Sequence, residues 1–379
     1  MHLFDVYYMK KVTFLLPRTG EVPIGGFKIV YEYGNRLAQR NVQVTFVYGI
    51  VSRKDLSFLL SFFYRVFRFF RFIKYKYFVD YKPAVWFKTN PEISHKLVYS
   101  LSERNIPKSD IIIATSWATA FWLNDYCCIE PSGKYYFIQH FEDWHAGKDK
   151  VITTWKMNLN KIVIAPWLQD IACNMGEKSV LVENAFNQDE FYLSNPIADR
   201  NKYTAIMLWH DNPFKGCSIG LKALEIVLKR FPDFSVKLFG VPEKPVHLPP
   251  WVTYYRMPQK DLHRKLYNQS AIFIGTSYSE GWGLTLGEGM LCGCAIACTN
   301  NPGYTILAEN NVTALLSEVG DAEGLANNII KLVEDDLLRL KIAEAGWNRA
   351  RSYTWERSFE KFVAAIKVCL LYTSPSPRD

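Results

Sequence analysis

No uninterrupted apolar run in this sequence reaches membrane-spanning length, so a simple helical anchor is not expected within it. The amino terminus, MHLFDVYYMKK, lacks an apolar core followed by a small-residue cleavage pattern and does not read as a secretory leader. Cysteine never occurs in CxxC spacing: Cys127 and Cys128 are adjacent, and the rest of the eight are scattered through apolar runs. That usage fits reduced, mostly buried thiols in a cytosolic protein rather than a disulfide framework. Internal repeats and low-complexity tracts are also missing. His140, Asp143 and His145 carry metal-ligating atoms, but no further ligand cluster supports them, so no metal site is expected.

What is present is ample core material. The chain has 379 residues, of which 49% are hydrophobic and 15% aromatic, so disorder is excluded for most of it and two domains are expected. A net charge of +8 points to an anionic partner: a nucleotide sugar, an acidic membrane face or nucleic acid. Charge alone does not choose among them.

One stretch organises the rest, AIFIGTSYSEGWGLTLGEGMLCGCAIACTNNPG, from Ala271 to Gly303. Ala271 to Thr276 reads as a buried strand, Ser277 to Gly283 as a polar glycine loop, Leu284 to Leu291 as a helix stopped at Gly293, and Cys294 to Thr299 as a second strand. This order sets the free N–H groups and positive end of a helix at a sheet edge, where phosphate is stabilised. Gly281 and Gly283 let the backbone approach phosphate oxygens. Glu288 lies about one turn into the helix and leans back toward the same mouth, which Glu280 reaches from the loop. Two carboxylates would repel a diphosphate, so their expected work is accepting hydrogen bonds from sugar hydroxyls.

Glu280, seven residues and Glu288, embedded in SEGWGLTLGEGMLCG and followed by NNPG, resemble the signature of the retaining family 4 glycosyltransferases of GT-B fold, of bacterial surface-polysaccharide type. The resemblance runs from about Lys11 to Val368 and is weakest between Val51 and Leu101. It implies an α/β GT-B architecture: two Rossmann-like domains with parallel sheets facing across a cleft, and a C-terminal helix crossing back to the first domain. It also implies that Glu288 binds the nucleotide ribose, that Glu280 contacts the donor sugar, and that the backbone of Gly281, Trp282, Gly283 and Leu284 holds the diphosphate.

The second domain opens with TAIMLW at Thr204 to Trp209, then HDNPFKG, with Lys215 and Gly216 at a helix entry where lysine can neutralise a diphosphate. The resembled pattern has arginine five residues before that lysine; His210 stands there instead, a departure at the donor site. In the first domain, KVTFLL at Lys11 to Leu16 is followed by Gly25 and Gly26 before a helix from about Phe27 to Gln39, and Val42 to Val47 is the next strand. In the resembled family such a glycine pair faces donor phosphate and acceptor. Further strands are DIIIAT and YYFI, the latter ending at Gln139 and His140, and the resemblance implies that His140 contacts donor sugar or acceptor. KIVIAP is another strand, and Gln188 to Asn201 reads as a polar linker.

Leu56 to Val79 stands apart. On a helix, Phe62, Phe63, Val66, Phe69, Phe70, Ile73 and Tyr77 form one stripe, while Arg65, Arg68, Arg71, Lys74 and Lys76 spread over the remaining face. That pattern reads as an element for an anionic membrane surface, with packing against the N-terminal sheet as the alternative and nucleic acid not expected. The final CLLYTSPSPRD, residues 369–379, resembles the translation of a sequencing-library adapter and is set aside from the fold.

The expected domains are thus 1–187 for the acceptor, 188–354 for the donor, and 355–368 as the returning helix. The expected activity is a metal-independent hexosyl- or deoxyhexosyltransferase using a nucleotide diphosphate sugar as co-substrate, with no other cofactor. His140, Glu280 and Lys215 form its expected catalytic set. The expected acceptor is a glycan or lipid-linked glycan, and the expected location is cytoplasmic, on the inner face of the plasma membrane. The alternatives are a non-catalytic scaffold or membrane-surface adaptor, and a nucleotide-sugar isomerase or hydrolase on the same architecture.

Overall fold

A computed structural model describes residues 10–18, 20–51, 66–67, 69–78, 83–245 and 248–366. They form two compact units, one of the residues up to Val182 together with those from Phe359 onward, the other Glu183–Ser358.

The first unit is built on a seven-stranded sheet: Lys11–Leu16 (β1), Gln43–Val51 (β2), Ser94–Ser100 (β3), Ile111–Ala114 (β4), Lys134–Ile138 (β5), Asn160–Val163 (β6) and Ser179–Leu181 (β7). The order is β3-β2-β1-β4-β5-β6-β7, with every neighbouring pair parallel. The central strands are continuous apolar runs because helices cover both faces of such a sheet. Helix Gly25–Ala38 packs Tyr31 on Phe46 with ring centroids 5.1 Å apart. A Cβ at Gly34 would come within 2.3 Å of the Phe46 ring, so glycine is what lets helix and strand close up. Phe362, from the last helix Trp355–Ala365, stacks on Tyr33 at 4.0 Å and meets Phe14 and Phe137.

Strand β3 was not expected from the sequence. It is an edge strand whose residues are mostly half-exposed or exposed, so its apolar signal is diluted. The expected basic, aromatic helix is described at residues 66–67 and 69–78, and the rest of it lies outside the described residues. Within its described part, Val66, Phe67, Phe69, Phe70 and Tyr77 are exposed, Lys74–Phe78 is π-helical, and Phe69 and Phe72 each touch Tyr99 of β3 at 6.0 Å. The residues set aside at 369–379 also lie outside the described residues.

The second unit carries Thr204–Trp209 (β8), Ser235–Gly240 (β9), Val252–Arg256 (β10), Ile272–Gly275 (β11), Ala295–Thr299 (β12) and Leu315–Ser317 (β13). These are parallel in the order β10-β9-β8-β11-β12-β13. The chain enters and leaves this unit along paired segments: Phe186 N–H donates to Tyr353 C=O at 3.2 Å, and Ser358 Oγ to Glu183 C=O at 2.6 Å. Among the described residues no helix is long and apolar enough to cross a membrane.

Residues 188–201, read from sequence as a linker, are instead packed into the second unit. Arg200 is buried and donates to the carbonyls of Ser270 (3.0 Å), Asn195 (2.9 Å) and Cys292, the last being the C-cap of helix Leu284–Leu291. The guanidinium thereby supplies donors to three carbonyls, of which Ser270 C=O also accepts from Cys294 Sγ at 3.4 Å. Asn268 completes the arrangement by accepting from the N–H groups of Ser194 and Asn195. Replacing Arg200 with Met removes these donors from the Asn195 and Cys292 carbonyls and leaves Ser270 C=O only the weak Cys294 thiol, and is expected to cost roughly 3 kcal/mol or more. Equilibrium urea unfolding checks this; an unchanged midpoint would contradict it.

Candidate functional site

In a parallel sheet, ligands bind beyond the carboxyl ends of the strands where the strand order reverses. In the second unit that point lies between β8 and β11, so the loops at His210–Gly216 and Thr276–Gly283 are the ones it brings side by side. The first loop is shaped by its own side chains. His210 Nδ1 accepts from Asn212 N–H at 2.9 Å, and Asn212 Oδ1 accepts from Phe214 N–H at 3.0 Å. Gly216 follows at φ 62° and begins helix Cys217–Arg230; a Cβ there would sit 2.0 Å from Thr276 C=O. The loops are stitched where they meet, Tyr278 N–H donating to Phe214 C=O at 2.8 Å and Thr276 Oγ1 to Lys215 C=O at 2.6 Å.

This stitching aims two expected residues at each other. Lys215 Nζ lies 2.8 Å from Glu280 Oε1, with the side chains 26% and 14% exposed. Partial burial makes the pair stronger than a surface ion pair, and it makes leaving either charge unpartnered more costly. Ser277 Oγ donates to the same carboxylate oxygen at 2.7 Å.

The loop ends at Gly283, φ 83°, the N-cap of helix Leu284–Leu291, and no side chain caps this end. Its first N–H groups are therefore not taken by a capping side chain, which suits an anion. Glu288 lies in the middle of this helix, 7% exposed. Trp282 is buried with its ring 5.2 Å from that of Tyr353, and its indole N–H has no protein partner. A Cβ at Gly287 would overlap the Phe186 ring, so that glycine packs the helix on the segment by which the chain enters the unit.

Gly25, Gly26 and His140 belong to the first unit. There the order reverses between β1 and β4, and Gly25–Gly26 begin the helix after β1. Gln139 Nε2 donates to Gly26 C=O at 3.1 Å, which brings the residues after β5 to that helix start. A Cβ at Gly26 would press on the Gln139 amide at 3.3 Å. His140 lies between Trp144 (4.3 Å) and Trp167 (5.4 Å), and its Nδ1 accepts from Glu142 N–H at 3.3 Å. Among the described residues no group of three His, Cys, Asp or Glu could hold a metal ion.

The sequence reading passed over Glu142. It has a left-handed backbone at φ 49°, and its Oε2 accepts from Trp117 N–H at 2.8 Å, at the start of helix Trp117–Asn124. Burial pushes its carboxyl up to about 7, opposed by the Trp117 hydrogen bond and the charge of Arg18. A carboxyl titrating near neutrality at a sheet edge beside His140 is a functional candidate. The only sequence signal was its place in the loop four residues beyond the end of β5.

Residues 194–349 match the family model described as Glycosyl transferases group 1. Curated relatives include O-antigen chain mannosyltransferase B of Escherichia coli, 29% identical over 31% of this chain and 30% of that protein. Probable sucrose-phosphate synthase 3 of Arabidopsis thaliana is 25% identical over 46% of this chain and 16% of that protein. The chain spans about half or less of the length of the curated relatives it matches, such as 52% of a glycosyltransferase of Methanocaldococcus jannaschii. Among solved structures, Anabaena Alr3699/HepE in complex with UDP and glucose superposes with TM-score 0.69, 14% identity, 94% of this chain and 99% of the other. Sucrose-phosphate synthase from Thermosynechococcus elongatus gives the same TM-score and identity, covering 94% and 98%. The fold is GT-B, with two parallel-sheet Rossmann-like domains, and the matches support the GT-B glycosyltransferase family.

The Glu142 shift has a sign. Its folded value lies above the ordinary 4.5, so the folded state holds a proton that the unfolded chain releases. Stability from this group is full below about 4.5, falls as pH rises to about 7, and is level above. Thermal melts of Glu142→Gln against the parent should show the variant gaining over that window. A difference independent of pH would contradict the assignment.

Proposed function

We propose that this chain transfers a sugar, hexosyl or deoxyhexosyl, from a nucleotide diphosphate sugar to an acceptor hydroxyl, with retention of configuration, in the manner of family 4. The observation that carries the reading is the Lys215–Glu280 pair set at the strand-order reversal, before a helix N-terminus that no side chain caps. Arriving diphosphate draws Lys215 away from Glu280. The lysine and the N–H groups at Gly283 and Leu284 then neutralise the charge that develops as the glycosidic bond to phosphate breaks. Glu280 is left to accept from donor sugar hydroxyls, and Glu288 to accept from the ribose. The solved complex of the Anabaena neighbour with UDP and glucose supports a nucleotide sugar as donor.

His140 and Gly25–Gly26 serve the acceptor and donor sugar from the first unit. With positive charge supplied by Lys215 and main-chain N–H groups, a metal ion is not required, and EDTA is expected to leave turnover intact. His210 replaces a second cation of the family pattern, so Lys215 bears more of the diphosphate's charge here. The acceptor is a glycan or lipid-linked glycan of a surface polysaccharide. The exposed Phe67, Phe69, Phe70 and Tyr77, with Lys74 among them, support peripheral docking on the anionic cytoplasmic face of the plasma membrane.

Calorimetric titration with UDP, ADP, GDP and TDP tests the donor site. One nucleotide should bind, and Lys215→Ala and Glu288→Ala should each weaken it about tenfold or more. No binding by the folded parent would end the reading. Co-sedimentation with phosphatidylglycerol vesicles tests the docking: Phe67→Ser with Phe70→Ser should release the chain without altering nucleotide affinity, and equal sedimentation of both forms would contradict it.

A further inference from the structure

Tyr304 lies 27 residues beyond Ser277 and outside every motif named above, yet its side chain reaches the centre of the second unit's site. Its ring fills the space where two glycines lack a side chain. A Cβ on Gly275, the last residue of β11, would meet the ring at 2.9 Å, and one on Gly283, at the helix N-cap, would meet it at 2.9 Å. Its main-chain N–H and that of Gly303 both donate to Asn301 Oδ1 at 3.1 Å, while Asn301 Nδ2 donates to Ser277 C=O at 3.0 Å. Ring, backbone and turn are thus held by buried groups on every side.

The hydroxyl then sets a direction. Tyr304 Oη donates to Ser277 Oγ at 3.2 Å, and Ser277 Oγ donates to Glu280 Oε1 at 2.7 Å. A serine hydroxyl has one hydrogen and can turn it toward several acceptors. With a tyrosine donating into its oxygen, that hydrogen is committed to Glu280. Burial holds the phenol well above its ordinary range, so it remains a donor at any working pH.

We propose that Tyr304 is a positioning residue that acts through Ser277 to keep Glu280 hydrogen-bonded when Lys215 leaves it for a diphosphate. The inference rests on the diphosphate reading of the site and goes beyond it. Lys215 and Ser277 share Glu280 Oε1. Once the lysine moves, a carboxylate only 14% exposed loses this cation, and the oriented hydroxyl continues to donate to its Oε1. Tyr304 therefore favours the liganded state of the loop more than the empty one.

The test is a set of variants titrated with UDP, ADP and GDP by calorimetry. Tyr304→Phe keeps the ring and removes one O–H, and it should weaken the bound nucleotide about three- to tenfold. Ser277→Ala should do the same, the double variant should be no worse than either single one, and Ser277→Thr should restore parental affinity. In a Glu280→Gln background, where no charge needs support, Tyr304→Phe should change nothing. Additive losses in the double variant, or an unchanged affinity in Tyr304→Phe, would overturn the proposal. If the parent binds no diphosphate, the proposed function fails separately and thermal melts decide the relay. Tyr304→Phe and Ser277→Ala should then remain non-additive at neutral pH and lose their effect with Glu280→Gln; additive melts would overturn it.

Discussion

Two places where main chain lies against main chain govern the candidate donor site. At Gly216 a side chain would overlap Thr276 C=O, and at Gly303 it would overlap Glu280 C=O, with built Cβ positions 2.0 and 2.2 Å away. Glycine at both positions lets the loops after β8 and β12 close on the loop after β11 from two sides. The Lys215–Glu280 pair, the Ser277 hydroxyl and the Tyr304 ring all depend on that closure. A shift of even one carbon's width would separate Lys215 Nζ from a carboxylate 2.8 Å away.

The second unit was the more legible part of the sequence, for a physical reason. Its parallel strands are short and apolar, its helix begins at a glycine, and its carboxylates fall within one local stretch, so the signal is carried by neighbours in the chain. The switch-point geometry followed from alternating strand and helix patterns. Gly281 to Leu284 and Glu288 stand where local periodicity had put them, in the loop and in helix Leu284–Leu291.

What sequence did not reveal depends on distant partners. Arg200 sits in a polar segment with one proline, Pro196, that looks like a linker, and only its carbonyl partners at positions 195, 270 and 292 make it a core residue. Tyr304 carries no pattern of its own, and its meaning comes from glycines about twenty to thirty residues earlier. Glu142 has an ordinary loop context, while its raised carboxyl comes from burial that only the fold supplies. Edge strand β3 was hidden because a strand open to solvent lacks the apolar run that marks the central ones.

The account turns on Lys215 changing partners, and a structure of the chain crystallised with a nucleoside diphosphate tests that most directly. It should place phosphate oxygens about 3 Å from the main-chain N–H groups of Gly283 and Leu284, with Lys215 Nζ moved from Glu280 onto the diphosphate. A diphosphate seated elsewhere on the second unit, or one bound there with the Lys215–Glu280 pair still closed, would contradict the account.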